Sequence, residues 1–245
     1  MQSIIQVLKQ HQKDFHPVVP FDPATEKIAS LDLTRANQEL TEEIYSDTKT
    51  FSVFIDQKRN NEGVKFLIGG YSELREMYKR SLLFDFEKKY AVENTVSQEP
   101  RRLHLGTDIW GEAGTRISVP FGGMIHSFAN NNNFGDYGAT IILQHQLGTI
   151  NFYTLYGHLS AADIKKTRKG QYLTRGQVFA HFGEPKENGN WPPHLHFQII
   201  VDIGLYEGDY PGVCKYSERE KYLSNSPDAD LILQIDRFAG KSGST

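Results

Sequence analysis

The segment His194-Leu195-His196-Phe197-Gln198-Ile199 constrains this chain more than any other. Polar and apolar residues alternate with the two-residue period of an extended strand that has one face in a core. On that reading Leu195, Phe197 and Ile199 point inward, while His194 and His196 project side by side from the other face. Two adjacent imidazoles gain little from packing, so the pattern points to metal binding or proton transfer. Trp191-Pro192-Pro193 leads into the strand. The two prolines stiffen the approach, and Trp191 is expected to line a groove beside His194.

A second polar set lies upstream in His104-Leu105-Gly106-Thr107-Asp108. If this stretch is also extended, His104, Gly106 and Asp108 share a face, and the glycine leaves a gap between two side chains free to converge on one ion. The chain has one cysteine, Cys214, which excludes an internal disulfide and fits a reducing compartment. Any metal would then be held by His, Asp or Glu. A catalytic zinc commonly takes three protein ligands and keeps one position for water. His104, Asp108 and one member of the His194/His196 pair would supply them, leaving the other imidazole for proton transfer. Two histidines and a carboxylate can also hold iron in oxygenases, but His and acid are then typically two apart, not four as here.

Composition narrows the classes of partner. With 245 residues and 38% hydrophobic content, the chain can bury a substantial core as one large domain or two modest ones. A formal charge of −3 gives no basic footprint, so neither nucleic acid nor an electrostatically bound membrane is expected. The first dozen residues mix apolar and polar types at helical spacing, without the apolar run of a secretory signal, and no later stretch approaches membrane-spanning length. The expectation is a cytoplasmic protein.

The chain reads as α+β. Ile4 to Leu8 and Glu39 to Ile44 are predicted helical, Phe51 to Ile55 and Val64 to Ile68 are predicted to form a hairpin around Asn60-Asn61-Glu62-Gly63, and Glu73 to Tyr78 is predicted helical. From about Arg101 to Asp202 the texture becomes glycine-punctuated β-structure, pointing to an antiparallel sheet system. Asn130 to Asn133 is expected to tip a hairpin, and Lys165 to Gly170 to form a solvated basic turn. Tyr206 to Gly212 reads as a loop. A serine or aspartate in Ser226-Pro227-Asp228 is expected to cap a short terminal helix, and residues 240–245 are expected to fray.

His104-Leu105-Gly106-Thr107-Asp108, Tyr156-Gly157-His158-Leu159-Ser160 and His194-Leu195-His196-Phe197-Gln198 occur in an order and separation that resemble the lysostaphin-type zinc metallopeptidases, which cleave peptide cross-links of bacterial cell walls. Gly114 to Pro120, Gly135-Asp136-Tyr137-Gly138 and Thr174-Arg175-Gly176-Gln177 resemble turns of the same domain. The resemblance implies a mainly antiparallel, duplicated-hybrid-motif catalytic domain over 101–202. Around it stand an N-terminal α+β region, 1–100, and a C-terminal extension, 203–245, packing on the catalytic domain. It also implies Zn2+ on His104, Asp108 and His196, with His158 and His194 catalytic beside it, and a peptide or peptidoglycan-like substrate. His126, His145 and His181 are assigned to structure, and Tyr137 to packing.

The approach Asn188 to Pro193 departs from the small Ser/Thr/Gly-rich approach of wall hydrolases and is similar to that of an intracellular subgroup. Two other classes fit the residues less well. A non-catalytic regulatory domain of this type would lack ligands, whereas every motif position here is filled. A phosphohistidine carrier on the related fold would have no use for Asp108.

Overall fold

A computed structural model describes residues 3–85 and 99–240. In chain order the helices are α1 (Ile4–Gln10), α2 (Glu42–Ser46), α3 (Thr48–Glu62), α4 (Ala161–Ile164), α5 (Arg219–Asn225) and α6 (Asp230–Leu233). The strands are β1 (Ile28–Ser30), β2 (Phe66–Gly69), β3 (Leu103–His104), β4 (Thr107–Trp110), β5 (Arg116–Ser118), β6 (Gly123–Asn131), β7 (Gly138–Leu147), β8 (Ile150–Leu159), β9 (Tyr172–Leu173), β10 (Val178–His181), β11 (His194–Ile200), β12 (Val213–Cys214) and β13 (Ala239–Gly240).

Among the described residues, nine strands form one sheet in the order β13-β1-β2-β4-β11-β8-β7-β6-β9. The fold is α+β with a mostly antiparallel sheet; the β13–β1 and β1–β2 pairs are parallel. The sheet draws strands from before residue 100, from the central stretch and from after residue 203. One face carries a continuous core in which Leu195, Phe197 and Ile199 of β11 pack with Ile109, Ile141, Leu143 and Tyr156. Complete burial of such a side chain contributes roughly 1.5–3 kcal/mol. The core therefore holds β11 firmly in the register that sends its even-numbered side chains to the opposite face.

The long hairpin β6–β7 turns at the expected asparagine run, and residues 165–170 form a turn after α4. The N-terminal half departs from expectation in one element. Phe51 to Ile55 is not a strand but part of α3. Phe51, Phe54 and Ile55 are buried at the i, i+3, i+4 spacing of one helix face, while Val53 is exposed. Asp47 caps this helix by accepting from Thr50 N, and Gly63 ends it in the left-handed conformation (φ 61°), so the predicted hairpin turn is a helix C-cap.

Only β2 survives from that hairpin. Glu73 to Tyr78 tightens to a 3-10 turn over Glu76–Arg80, and the Glu39 to Ile44 helix begins at Glu42. Of the expected pair, Ser226 is fully buried and caps nothing, whereas Asp228 Oδ1 accepts from Asp230 N at 2.9 Å at the start of α6. Gly240 pairs with Ala29 rather than fraying; the rest of the tail, 241–245, lies outside the described residues.

Candidate active site

β4 and β11 run antiparallel, with Asp108 directly opposite His196 and Trp110 opposite His194. Cross-strand partners share a face, so pleating alone brings the Asp108 carboxylate beside the His196 imidazole. His104 arrives on β3, one residue before the chain bends through Leu105 and Gly106. A Cβ at Gly106 would stand 2.5 Å from Cε1 of His196, so the glycine leaves room for that ring. His104, Asp108 and His196 can each turn a ligand atom to a common point, all three atoms lying within 4.8 Å of one another.

Hydrogen bonds assign the tautomers. His104 Nδ1–H donates to Gly70 O at 2.8 Å, and His196 Nε2–H donates to Gln198 Oε1 at 2.9 Å. The remaining nitrogens, His104 Nε2 and His196 Nδ1, face each other at 2.9 Å, and Asp108 Oδ1 lies 3.4 Å and 3.1 Å from them. Three lone pairs thus converge with no proton among them, an arrangement that a cation relieves. A tetrahedral ion with bonds of about 2.0–2.1 Å to N and O sets its ligands roughly 3.3 Å apart. The donor set and spacing therefore fit zinc, and each imidazole is oriented by an outer partner as metal-ligating histidines usually are.

His158 reaches the same place by a break in pleating. Tyr156, two residues earlier on β8, points into the core, so a regular strand would send residue 158 there too. A register shift between β7 and β8 adds one residue at this point, and His158 takes a left-handed φ of 62°. The bulge turns its ring to the site face. There it lies 4.1 Å from the ring of His194, which in turn stacks on Trp110 at 3.9 Å.

His158 Nδ1–H donates to Asn188 O and His194 Nδ1–H to Pro192 O, both at 2.8 Å, leaving each Nε2 open. Burial pushes His194 down to about 4 and His158 well below its ordinary value, the latter further lowered by the neighbouring His194. Both rings rest neutral. Burial acts to raise the Asp108 carboxyl, but the neighbouring His104 ring and the Arg75 guanidinium hold it well below the usual carboxylate range.

The five residues stand in the floor of a cavity of about 470 Å³. Its walls come largely from outside the motifs. Met77, Tyr78 and Phe84 approach from the N-terminal half, and Tyr206, Tyr210 and Tyr222 from beyond residue 203. Trp191 lines it as expected. Tyr137 does more than pack, since its hydroxyl lies 3.4 Å from His196 Nε2 and burial raises its pKa, keeping it protonated.

Sequence reasoning missed Arg75, fully buried with Nη1 donating to Asp108 Oδ2 at 2.5 Å, and gave no role to Gln198, which donates onward to Ser226 Oγ and Pro211 O. Arg75 carries no local signal; only its contact with Asp108 reveals it. The other histidines stand apart from the cavity. His145 bonds Thr154 and Gly122, His126 bonds Ser127, and His181 bonds Asp163.

Residues 102–206 match the sequence model of Peptidase family M23. Over that stretch the chain is similar to the domain of this family. M23 peptidases are zinc-dependent hydrolases. The chain is 30% identical over 115 residues to the L-Ala–D-Glu endopeptidase of Bacillus subtilis, covering 45% of this chain and 33% of that protein. It is 27% identical over 109 residues to a UPF0398 protein of Oceanobacillus iheyensis, covering 42% and 54%. It thus spans between a third and about half of the length of these curated relatives.

Among solved structures, a zinc containing peptidase from Vibrio cholerae aligns at 26% identity and TM-score 0.33, covering 48% of this chain and 32% of the other. The catalytic domain of lysostaphin from Staphylococcus simulans aligns at 22% identity and TM-score 0.33, covering 49% and 80%. Among the described residues, no helix is long and apolar enough to cross a membrane.

Proposed function

We propose that this protein is a zinc metalloendopeptidase, with His104, Asp108 and His196 as metal ligands and His158 and His194 as the groups that hold and move protons. The observation that carries this reading is the convergence of three proton-free donor atoms beside two imidazoles whose Nε2 atoms are open to the cavity. Bound there, zinc supplies a Lewis acid that polarises a carbonyl and brings the pKa of water towards about 7. Each flanking imidazole, anchored at Nδ1 and neutral through burial, begins as a proton acceptor at Nε2. Once one ring is protonated, the other at 4.1 Å opposes a second cation, so the proton is readily passed to a departing amine. On this reading the aromatic walls flank the peptide beside this pair.

The substrate proposed is a peptidoglycan-type peptide, and the L-Ala–D-Glu bond in the name of the Bacillus relative is the first candidate. A cavity of about 470 Å³ suits a few residues of peptide, within the roughly 300–1,000 Å³ of sites that enclose small ligands. The test is hydrolysis of defined stem peptides before and after chelation. Activity should vanish with the metal and return with zinc. His104→Ala, Asp108→Ala and His196→Ala should each release it. Undiminished hydrolysis by protein stripped of metal would refute the reading.

A further inference from the structure

Residues 70–75 lie outside the 102–206 family match, yet they reach two of the three proposed ligands from behind. Gly70 O accepts from His104 Nδ1, and Arg75 Nη1 donates to Asp108 Oδ2. Backbone bonds fasten this segment to the ligand strand: Ser72 N donates to His104 O, His104 N to Glu73 O, and Arg75 N to Arg102 O, at 2.8–3.0 Å.

The two oxygens of Asp108 have different company. Oδ1 faces His196 Nδ1 at 3.1 Å, His104 Nε2 at 3.4 Å and His194 Nε2 at 3.9 Å. Oδ2 faces Arg75 at 2.5 Å. The guanidinium is itself held, since Arg75 is 1% exposed and its Nε donates to Glu73 Oε2 at 2.8 Å. A Cβ on Gly70 would stand 2.0 Å from Nη2, so the guanidinium fills the space that the glycine leaves. Glu73 also offsets the charge that Arg75 brings, leaving the net charge on the ligands unaltered.

We propose that Arg75 is a positioning residue of the metal site: by occupying Oδ2 it leaves Oδ1 as the single oxygen donor of Asp108 and keeps the protein ligands at three. A carboxylate free to bind through both oxygens would fill the position that water and substrate need. Removing an outer partner of this kind commonly costs about 10–100-fold in metal affinity. The proposal rests on the assignment of His104, Asp108 and His196 as ligands.

The test uses the full chain and reads metal rather than turnover. Zinc affinity is measured by competition with a chromophoric chelator, and coordination by the visible absorption of the cobalt-substituted protein. Arg75→Met should bind zinc about 10–100-fold more weakly and show the weaker cobalt bands of a higher coordination number. Arg75→Lys, which restores one charged donor, should recover part of both.

Should Arg75→Met not fold by far-UV circular dichroism, Arg75→Lys and Glu73→Gln carry the test, each with a smaller loss of affinity. Wild-type protein that takes up no zinc would overturn the ligand assignment itself. One equivalent in the wild type, with affinity and cobalt spectrum unchanged in the folded variants, would overturn the role of Arg75 alone.

Discussion

The floor and the walls of the cavity are built by different means. On the floor, Asp108, His194 and His196 sit on paired strands whose core-facing residues fix the register, so one pattern of alternation places three side chains at once. The walls come from short turns near residues 76–84 and 206–212 and from α5, positioned by bonds between segments distant in the chain, such as Ser81 Oγ donating to Phe134 O and Gly208 N to Ser127 Oγ. The difference teaches a division of labour: pleated strands give the donor atoms their fixed spacing, while the flanking segments decide what reaches them.

That comparison can be broken. The largest effect is expected on the floor. His194→Ala should lower kcat by about 10²–10⁴-fold for every substrate while zinc content stays near one equivalent, measured by elemental analysis beside steady-state rates. Retained activity would remove His194 from the chemistry.

A second test asks whether burial alone makes a histidine functional. His145 is as buried as the site histidines and is pushed down to about 4 by that burial, yet it bonds Thr154 and Gly122, away from the cavity. Its unfolded pKa is near 6.5, so between about pH 6.5 and 4 the unfolded chain binds the extra proton and stability falls as pH falls. The full shift corresponds to about 3 kcal/mol. Denaturant midpoints at pH 7 and pH 4.5 should converge in His145→Gln relative to the wild type, with peptidase activity at pH 7 retained.

Third, Gly106→Ala places a methyl against the His196 ring and should weaken zinc binding by about 10-fold or more, read by chelator competition. The smallest effects belong to the walls. Phe84→Ala or Tyr210→Ala should raise KM by on the order of 10-fold and alter the preferred peptide length, with kcat nearly unchanged. A wall variant that lost kcat and kept KM would erase the distinction between floor and walls.

The same division explains what was legible in the sequence. His104, Asp108, His194 and His196 could be found because period-two alternation fixes where a side chain points. His158 could not be found that way, since its orientation depends on an extra residue in β8 that alternation does not encode; only the motif around it gave it away. Arg75 and Gln198 act through partners, and no pattern in their own neighbourhood shows a guanidinium meeting a carboxylate 33 positions later. Phe51 to Ile55 satisfies both periods because four of its five residues are apolar, and the deciding cap at Asp47 lies before the segment. Tyr137 was assigned to packing because nothing local shows that its hydroxyl extends to His196.

The sheet does not stop at the strands that carry the site. β2 and β1 continue it beyond β4, and β8 and β7 continue it beyond β11, so neither β4 nor β11 has a free edge. A peptide cannot be recognised here by adding itself as a strand alongside these two, the route by which many proteins grip extended chains through main-chain hydrogen bonds. On the proposed reading, a peptide that meets these two strands does so through its side chains and ends, so its sequence and stereochemistry, rather than its mere extension, are what this part of the cavity would read.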